Sequence, residues 1–495
     1  MQNLGDVASA EFVVKVRPSP GRRSRPSVGL ALALAIGLAA TPADAQDMIW
    51  RRPVPVQTWG RRLVRPVFIP PPAFIRPAFG APEANAERRM APPPSYWRPP
   101  SVRFPLHPAS PPQVFTRALP PPPGEMRFRR GEVLVETSLA TPPATLAAVA
   151  RRHRLSEGDV ATINLLGVSV HLWRIPDARD AAAVVRELGG EAAATRVQPN
   201  YVYALQQTAE PASSPGNPVS PPLQYALDKL CVDAALLAAA SEPVRVAVID
   251  TAIDEIHPDL AGAVEARFDA IGGATPPHML DHGTAVAGAI AARGRLKGVD
   301  PNVRILSARA FDGDGAGESG STMSLLKAID WAARERAKVV NMSFAGPPDP
   351  TLRDIVATAV GKGLSLVAAA GNAGPQSPPL YPAADEGVIA VTATDADDRR
   401  YERANVGRYI AVAAPGVDVL LPAPQGSYAL ETGTSVSAAL VSGVAALLVV
   451  LRPDASPAEV RKWLVATAAP LGRGRESEFG AGLAAARRAA DAAMR

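Results

Sequence analysis

Three residue types with the chemistry of nucleophilic catalysis stand in order along the chain: Asp250, His282 and Ser435. A serine hydroxyl attacks a carbonyl only when a neighbouring imidazole takes its proton. The imidazole needs a carboxylate to hold its tautomer and to stabilise the imidazolium. Each of the three sits in a context that suits its task. Val244-Arg245-Val246-Ala247-Val248-Ile249 is a β-branched run that delivers Asp250 at its carboxyl end, where α/β sites assemble. Asp281-His282-Gly283-Thr284 opens a small, apolar helical stretch to Ala292, and Gly433-Thr434-Ser435 opens another, Val436 to Leu451. A serine at a helix start has amide donors beside it. A fourth residue, Asn372, follows the apolar run Val367–Ala370 and lies between Gly371 and Gly374, placed to aim an amide at developing negative charge.

Taken singly, Gly-Thr-Ser is usually a turn or cap, and an aspartate after a strand is common. Four matches in one order, each at an element end, point to serine-dependent acyl transfer. The catalytic part alternates strand and helix from Val244 to Leu451, which implies an α/β fold with a mostly parallel sheet and helices on both faces.

The surrounding motifs resemble those of the subtilisin-like (subtilase) serine peptidases. Asp250-Thr251-Ala252-Ile253-Asp254 with His257-Pro258-Asp259-Leu260, His282-Gly283-Thr284-Ala285-Val286-Ala287-Gly288, Gly433-Thr434-Ser435-Val436-Ser437-Ala438-Ala439 and Ala370-Gly371-Asn372 carry the likeness over about residues 224–490. It departs at Ala252, Ala285 and Ala439-Leu440, where the family usually has Gly, His and Pro-His; without that proline the Ser435 helix is expected to run straighter. The resemblance implies a serine endopeptidase acting on proteins or peptides, with Asn372 at the oxyanion. It also implies an extended substrate lying between Gly315-Ala316-Gly317 and Phe344-Ala345-Gly346, with Leu380 at the base of the P1 pocket (the pocket for the residue whose carbonyl is attacked). No acid lies in the pocket's walls, so small or medium apolar P1 residues are expected over Arg, Lys and Trp.

Upstream, the chain divides by composition. Residues 1–45 read as an export signal: Arg22-Arg23-Ser24-Arg25, an apolar run Val28–Ala40, then Ala43-Asp44-Ala45. This places the protein in the periplasm or outside the cell. Residues 46–125 are rich in Pro and Arg, show no helical or strand period, and are expected to be a largely disordered spacer. Residues 126–207 read as strand, helix, strand, helix, strand, a small ferredoxin-like α+β domain. By resemblance this is an inhibitory propeptide, joined by a Pro/Ser/Gly linker (208–222) to the peptidase domain (223–495). The resemblance thus makes the protein a zymogen and its own propeptide a partner.

Net charge is +5, but from residue 222 onward acidic residues outnumber basic ones, so nucleic-acid binding by the core is not indicated. Gly315-Ala316-Gly317-Glu318-Ser319-Gly320 matches a dinucleotide fingerprint, yet Asp312 and Asp314 beside it would repel a pyrophosphate. No cofactor is expected and no zinc pattern exists; structural calcium is not indicated. The single Cys231 excludes an internal disulfide and is expected at the core edge; His257, before a proline, reads as turn structure. The different-class alternative is a non-catalytic envelope-binding protein whose Pro/Arg segment works on a retained peptidase scaffold.

Overall fold

The computed structural model describes residues 117–206 and 224–495, apart from 274, 276 and 314–317. All of these fall in one compact unit, Phe104–Arg495. The readings for residues 1–45, most of 46–125 and the linker therefore lie outside the described residues.

The first lobe runs β1 (Phe128–Ser138), α1 (Pro143–Arg152), β2 (Ser156–Ile163), β3 (Val168–Arg174), α2 (Ala181–Leu188) and β4 (Arg196–Leu205). Its strands are antiparallel in the order β2-β3-β1-β4. This is the expected ferredoxin-like arrangement with one strand more. β2, Ser-Glu-Gly-Asp-Val-Ala-Thr-Ile, is a polar edge strand that buries only Ile163, so it carries no alternation to read. α2 starts at Ala181, where Asp180 is the N-cap and accepts from the Ala183 amide. The ordered lobe also starts upstream of residue 126: Ala118 bridges Val197 of β4, and the Leu119 and Val197 amides close the pair.

The second lobe opens with two short helices, α3 (Tyr225–Lys229) and α4 (Ala234–Ala239). There follow β5 (Arg245–Asp250), β6 (Val264–Asp269), α5 (Asp281–Ala291), β7 (Arg304–Arg309), β8 (Phe311–Asp312), β9 (Ser319–Ser321) and α6 (Thr322–Arg334). The chain continues through β10 (Val339–Met342), β11 (Phe344–Ala345), α7 (Pro350–Gly361), β12 (Ser365–Ala369), β13 (Ile389–Thr394) and β14 (Val412–Pro415). A hairpin of β15 (Val419–Ala423) and β16 (Ser427–Glu431) leads into α8 (Thr434–Leu451), and α9 (Pro457–Thr467), α10 (Glu476–Phe479) and α11 (Ala486–Ala493) finish the lobe.

Seven strands form a parallel sheet in the order β14-β13-β12-β10-β5-β7-β6. The two-residue period divides each strand between two cores. Val246 and Val248 of β5 pack with α5 and α8, while Ala247 and Ile249 pack with α6 and α7. The α6–α7 core continues into the first lobe through Val133, Trp173, Val184 and Leu188. α8 runs unbroken, as the missing proline implies, and is long and apolar enough to cross a membrane; here 89% of it is buried, as a core helix. His257 accepts from the Asp259 amide at Nδ1 and donates from Nε2 to Ser427 O, which confirms its structural reading. Cys231, in contrast, is exposed: it takes a left-handed turn (φ 56°) just after α3, which directs it away from the core.

Candidate active site

The parallel sheet brings the four chemical residues together. Asp250 ends β5, His282 lies in the first turn of α5, Asn372 follows β12, and Ser435 lies in the first turn of α8. Asp250 is fully buried, and its Oδ1 accepts from His282 Nδ1 at 2.7 Å and from the Thr251 amide at 2.7 Å. The carboxylate thereby holds the imidazole in the tautomer that leaves Nε2 free to take a proton. Burial opposes the imidazolium, but the charge and hydrogen bond of Asp250 outweigh it, so the His282 pKa lies above its ordinary value.

Asn372 Oδ1 accepts from the Thr434 amide (3.1 Å) and hydroxyl (2.9 Å), which turns its NH₂ toward Ser435. The group that meets it there is the carbonyl of Gln206, the last described residue of the first lobe. Asn372 Nδ2 donates to Gln206 O at 2.6 Å, Ser435 Oγ at 2.8 Å and the Ser435 amide at 3.4 Å. Gly433 is required by the same approach, since a Cβ there would stand 2.2 Å from Gln206 O. Ser435 spends its one proton on that carbonyl, and His282 Nε2 has no hydrogen-bond partner among the described residues. Acting as base requires the hydroxyl to turn from the carbonyl to the imidazole.

Gln206 arrives on β4, which leaves its own sheet to lie between two strands of the second lobe. It pairs antiparallel with β11 (Phe344↔Leu205, Ala345↔Ala204) and with β9 (Val202↔Ser321, Tyr203↔Gly320, Ala204↔Ser319). Phe344 and Ala345 thus flank β4 on one side, and Gly346 bridges Tyr381. On the opposite wall the expected residues are Gly315-Ala316-Gly317. Those three residues lie outside the described residues, and the strand that pairs is Ser319-Gly320-Ser321. That strand runs into α6, whose N-cap is Ser321. Gly320, the last residue of the dinucleotide-like motif, is in that ladder, and the α6 start is satisfied by Ser321 and by Asn200 Oδ1, which accepts from the Met323 amide.

Leu380 is buried against Gly371 and lines a pocket with Gln206, Ala345 and Asn372. The side chain offered beside it is an amide, unlike the apolar group expected. It turns back on itself: Gln206 Nε2 donates to Ala204 O (3.0 Å) and Leu205 O (3.3 Å), and Oε1 accepts from the Asn372 amide (2.7 Å). Three residues of the site escape sequence reasoning: Gln206, Tyr203 and Asp349. Their partners lie far along the chain, and only the fold joins them.

A family model described as the subtilase family matches residues 241–482. A thermophilic serine proteinase of Bacillus sp. (strain AK1) is 37% identical over 275 residues, 54% of this chain and 66% of that protein, so the chain spans just under two thirds of that relative. Subtilisin DY of Bacillus licheniformis is 37% identical over 236 residues, 46% of this chain and 85% of its own length. Among solved structures, fervidolysin of Fervidobacterium pennivorans, a keratinolytic enzyme related to subtilisin, superposes with a TM-score of 0.62 at 26% identity, covering 76% of this chain and 63% of that one. The motifs, the parallel sheet and these likenesses agree: the chain belongs to the subtilase family.

Proposed function

We propose that this protein is an exported serine endopeptidase made as a zymogen, whose first lobe is an inhibitory propeptide that the enzyme cuts from itself after Gln206. The observation that carries the reading is the Gln206 carbonyl, held by Asn372 Nδ2 at 2.6 Å and facing Ser435 Oγ at 2.8 Å. Export rests on the basic and apolar run at residues 22–45.

In the proposed reaction His282 Nε2 takes the Ser435 proton as Oγ bonds to the Gln206 carbonyl carbon. The Asn372 amide and the Ser435 amide hold the oxyanion. The C–N bond to Gln207 then breaks, and His282 passes its proton to the departing amine. A water attacks the Gln206 ester with His282 again as base, freeing a carboxylate at Gln206 and restoring Ser435. A protein or peptide chain lying where β4 lies would be cut in the same way.

The test uses the full-length chain. Wild type should label with a fluorophosphonate and yield, by intact mass, a fragment ending at Gln206. Ser435→Ala should do neither while remaining folded. Normal processing or hydrolysis by that variant contradicts the assignment, and a mature amino terminus upstream of residue 117 in an active sample contradicts the propeptide reading.

A further inference from the structure

Tyr203 is the third residue upstream of Gln206, the P4 position of the segment in the cleft. Its ring is completely buried. It stands edge-on to Phe344 (5.9 Å between centroids), and Phe344 in turn contacts Phe311 at 5.2 Å. Gly346 leaves room for the ring, since a Cβ there would stand 2.3 Å from it. An aromatic-lined pocket of this kind accepts any large apolar side chain. At its inner end, however, stands a carboxylate: Tyr203 OH donates to Asp349 Oδ2 at 3.2 Å, with Pro347 O farther off at 3.4 Å.

We infer that Asp349 makes this subsite selective for tyrosine, so that the peptidase favours substrates with a P4 tyrosine over those with phenylalanine. The inference rests on the peptidase reading above and concerns its substrate class.

Asp349 is itself buried, at 2% exposure. Its Oδ1 caps α7 by accepting from the Thr351 and Leu352 amides and takes a third bond from Gln198 Nε2. Its Oδ2 accepts from Thr322 Oγ1 at 2.7 Å and from Tyr203. Burial raises its pKa, and the hydrogen bonds from these neighbours, every one a donor, oppose that rise by favouring the carboxylate, all acceptor. Burial pushes the Tyr203 phenol far up, and the Asp349 charge adds to it, which keeps the hydroxyl protonated and a donor. A phenylalanine would cover the same carboxylate and return it one bond fewer. Sites built to bond a hydroxyl reject the analogue that lacks it, because the desolvated acceptor is left short of a partner. A leucine loses the aromatic contacts as well. A P4 arginine would carry charge past the faces of Phe311 and Phe344 to reach an oxygen already engaged by Thr322.

Acetylated X-Ala-Leu-Gln aminocoumarin amides, with X as Tyr, O-methyl-Tyr, Phe, Leu or Arg, test this on the enzyme matured from the full-length chain. Tyr should exceed Phe by about 10- to 100-fold in kcat/KM, the range of one hydrogen bond to a charged group. O-methyl-Tyr, which cannot donate, should do no better than Phe. Asp349→Ser retains one oxygen to cap α7 but has none left for the ligand. It should bring the Tyr/Phe ratio below about 3 by slowing the Tyr peptide more than the Phe peptide. Equal rates for Tyr and Phe, good turnover of O-methyl-Tyr, a preference for Arg, or a Tyr preference that survives Asp349→Ser each overturn the inference. The O-methyl-Tyr comparison decides the matter even where Asp349→Ser does not fold. A fluorophosphonate-labelled enzyme with a flat P4 profile sinks only this inference. Failure to label or to cut any peptide sinks the peptidase reading, and this inference with it.

Discussion

At Asn372 one side chain is held by its oxygen so that its nitrogen can work. Thr434 supplies both bonds to Oδ1, and Nδ2 has no direction left except the carbonyl. Asn372→Ala should therefore lower kcat by about 10²–10³, a range drawn from a related donor in a subtilisin, with little change in substrate binding. A loss confined to KM contradicts the role. His282 gives the pH dependence. In the proposed reaction its neutral form is the base, and its pKa is raised above the ordinary 6.5. The base is thus lost at a higher pH than for a free histidine, and kcat/KM should climb through a midpoint above 6.5 as pH rises. A pH–rate profile checks this, and a midpoint at or below 6.5 contradicts it. Asp250, His282, Asn372 and Ser435 were legible in the sequence because each lies at an element end marked by glycines or a β-branched run. Gln206, Tyr203 and Asp349 were not. A glutamine beside a linker and an aspartate before a proline have ordinary local meanings, and their roles come from contacts 146 to 229 residues apart.

Among the elements, the buried parallel strands read most clearly, since they are continuous apolar runs bounded by turn residues. The polar edge strand β2 and the short strands β8, β9 and β11 have no such period; β11 pairs with β4, and β9 with β4 and β8. The pocket beside Gln206, proposed to take P1, is an element-level feature too, lined by Leu380 next to the bridge from Tyr381 to Gly346. Leu380→Gly should deepen it and shift a peptide-library profile toward larger P1 residues. One or two methylenes of room are worth about 1–3 kcal/mol, so the shift should be graded. An unchanged profile means that Leu380 does not limit the pocket.

Across the whole molecule, the two lobes are held by far more than the bond after Gln206. They share one apolar core, and the first lobe meets α6 and α7 through Asn164–Asp330, Asn200–Met323, Gln198–Asp349 and Arg196–Asp354. Cleavage at Gln206 removes none of these contacts. The cut halves should co-elute in size exclusion, and activity should appear later than the cut seen on a denaturing gel; simultaneous appearance means that the first lobe does not inhibit. β4 has a further consequence once it leaves. β9 and β11 then face each other across a slot the width of one strand, with backbone donors and acceptors on both sides. Such a slot is filled by any extended chain, because main-chain pairing ignores side-chain identity. The nearest supply of extended chain in a concentrated sample is a momentarily unfolded copy of the same enzyme. Loss of activity would then be a bimolecular process, its half-life shortening in proportion to enzyme concentration, and dilution would preserve the enzyme.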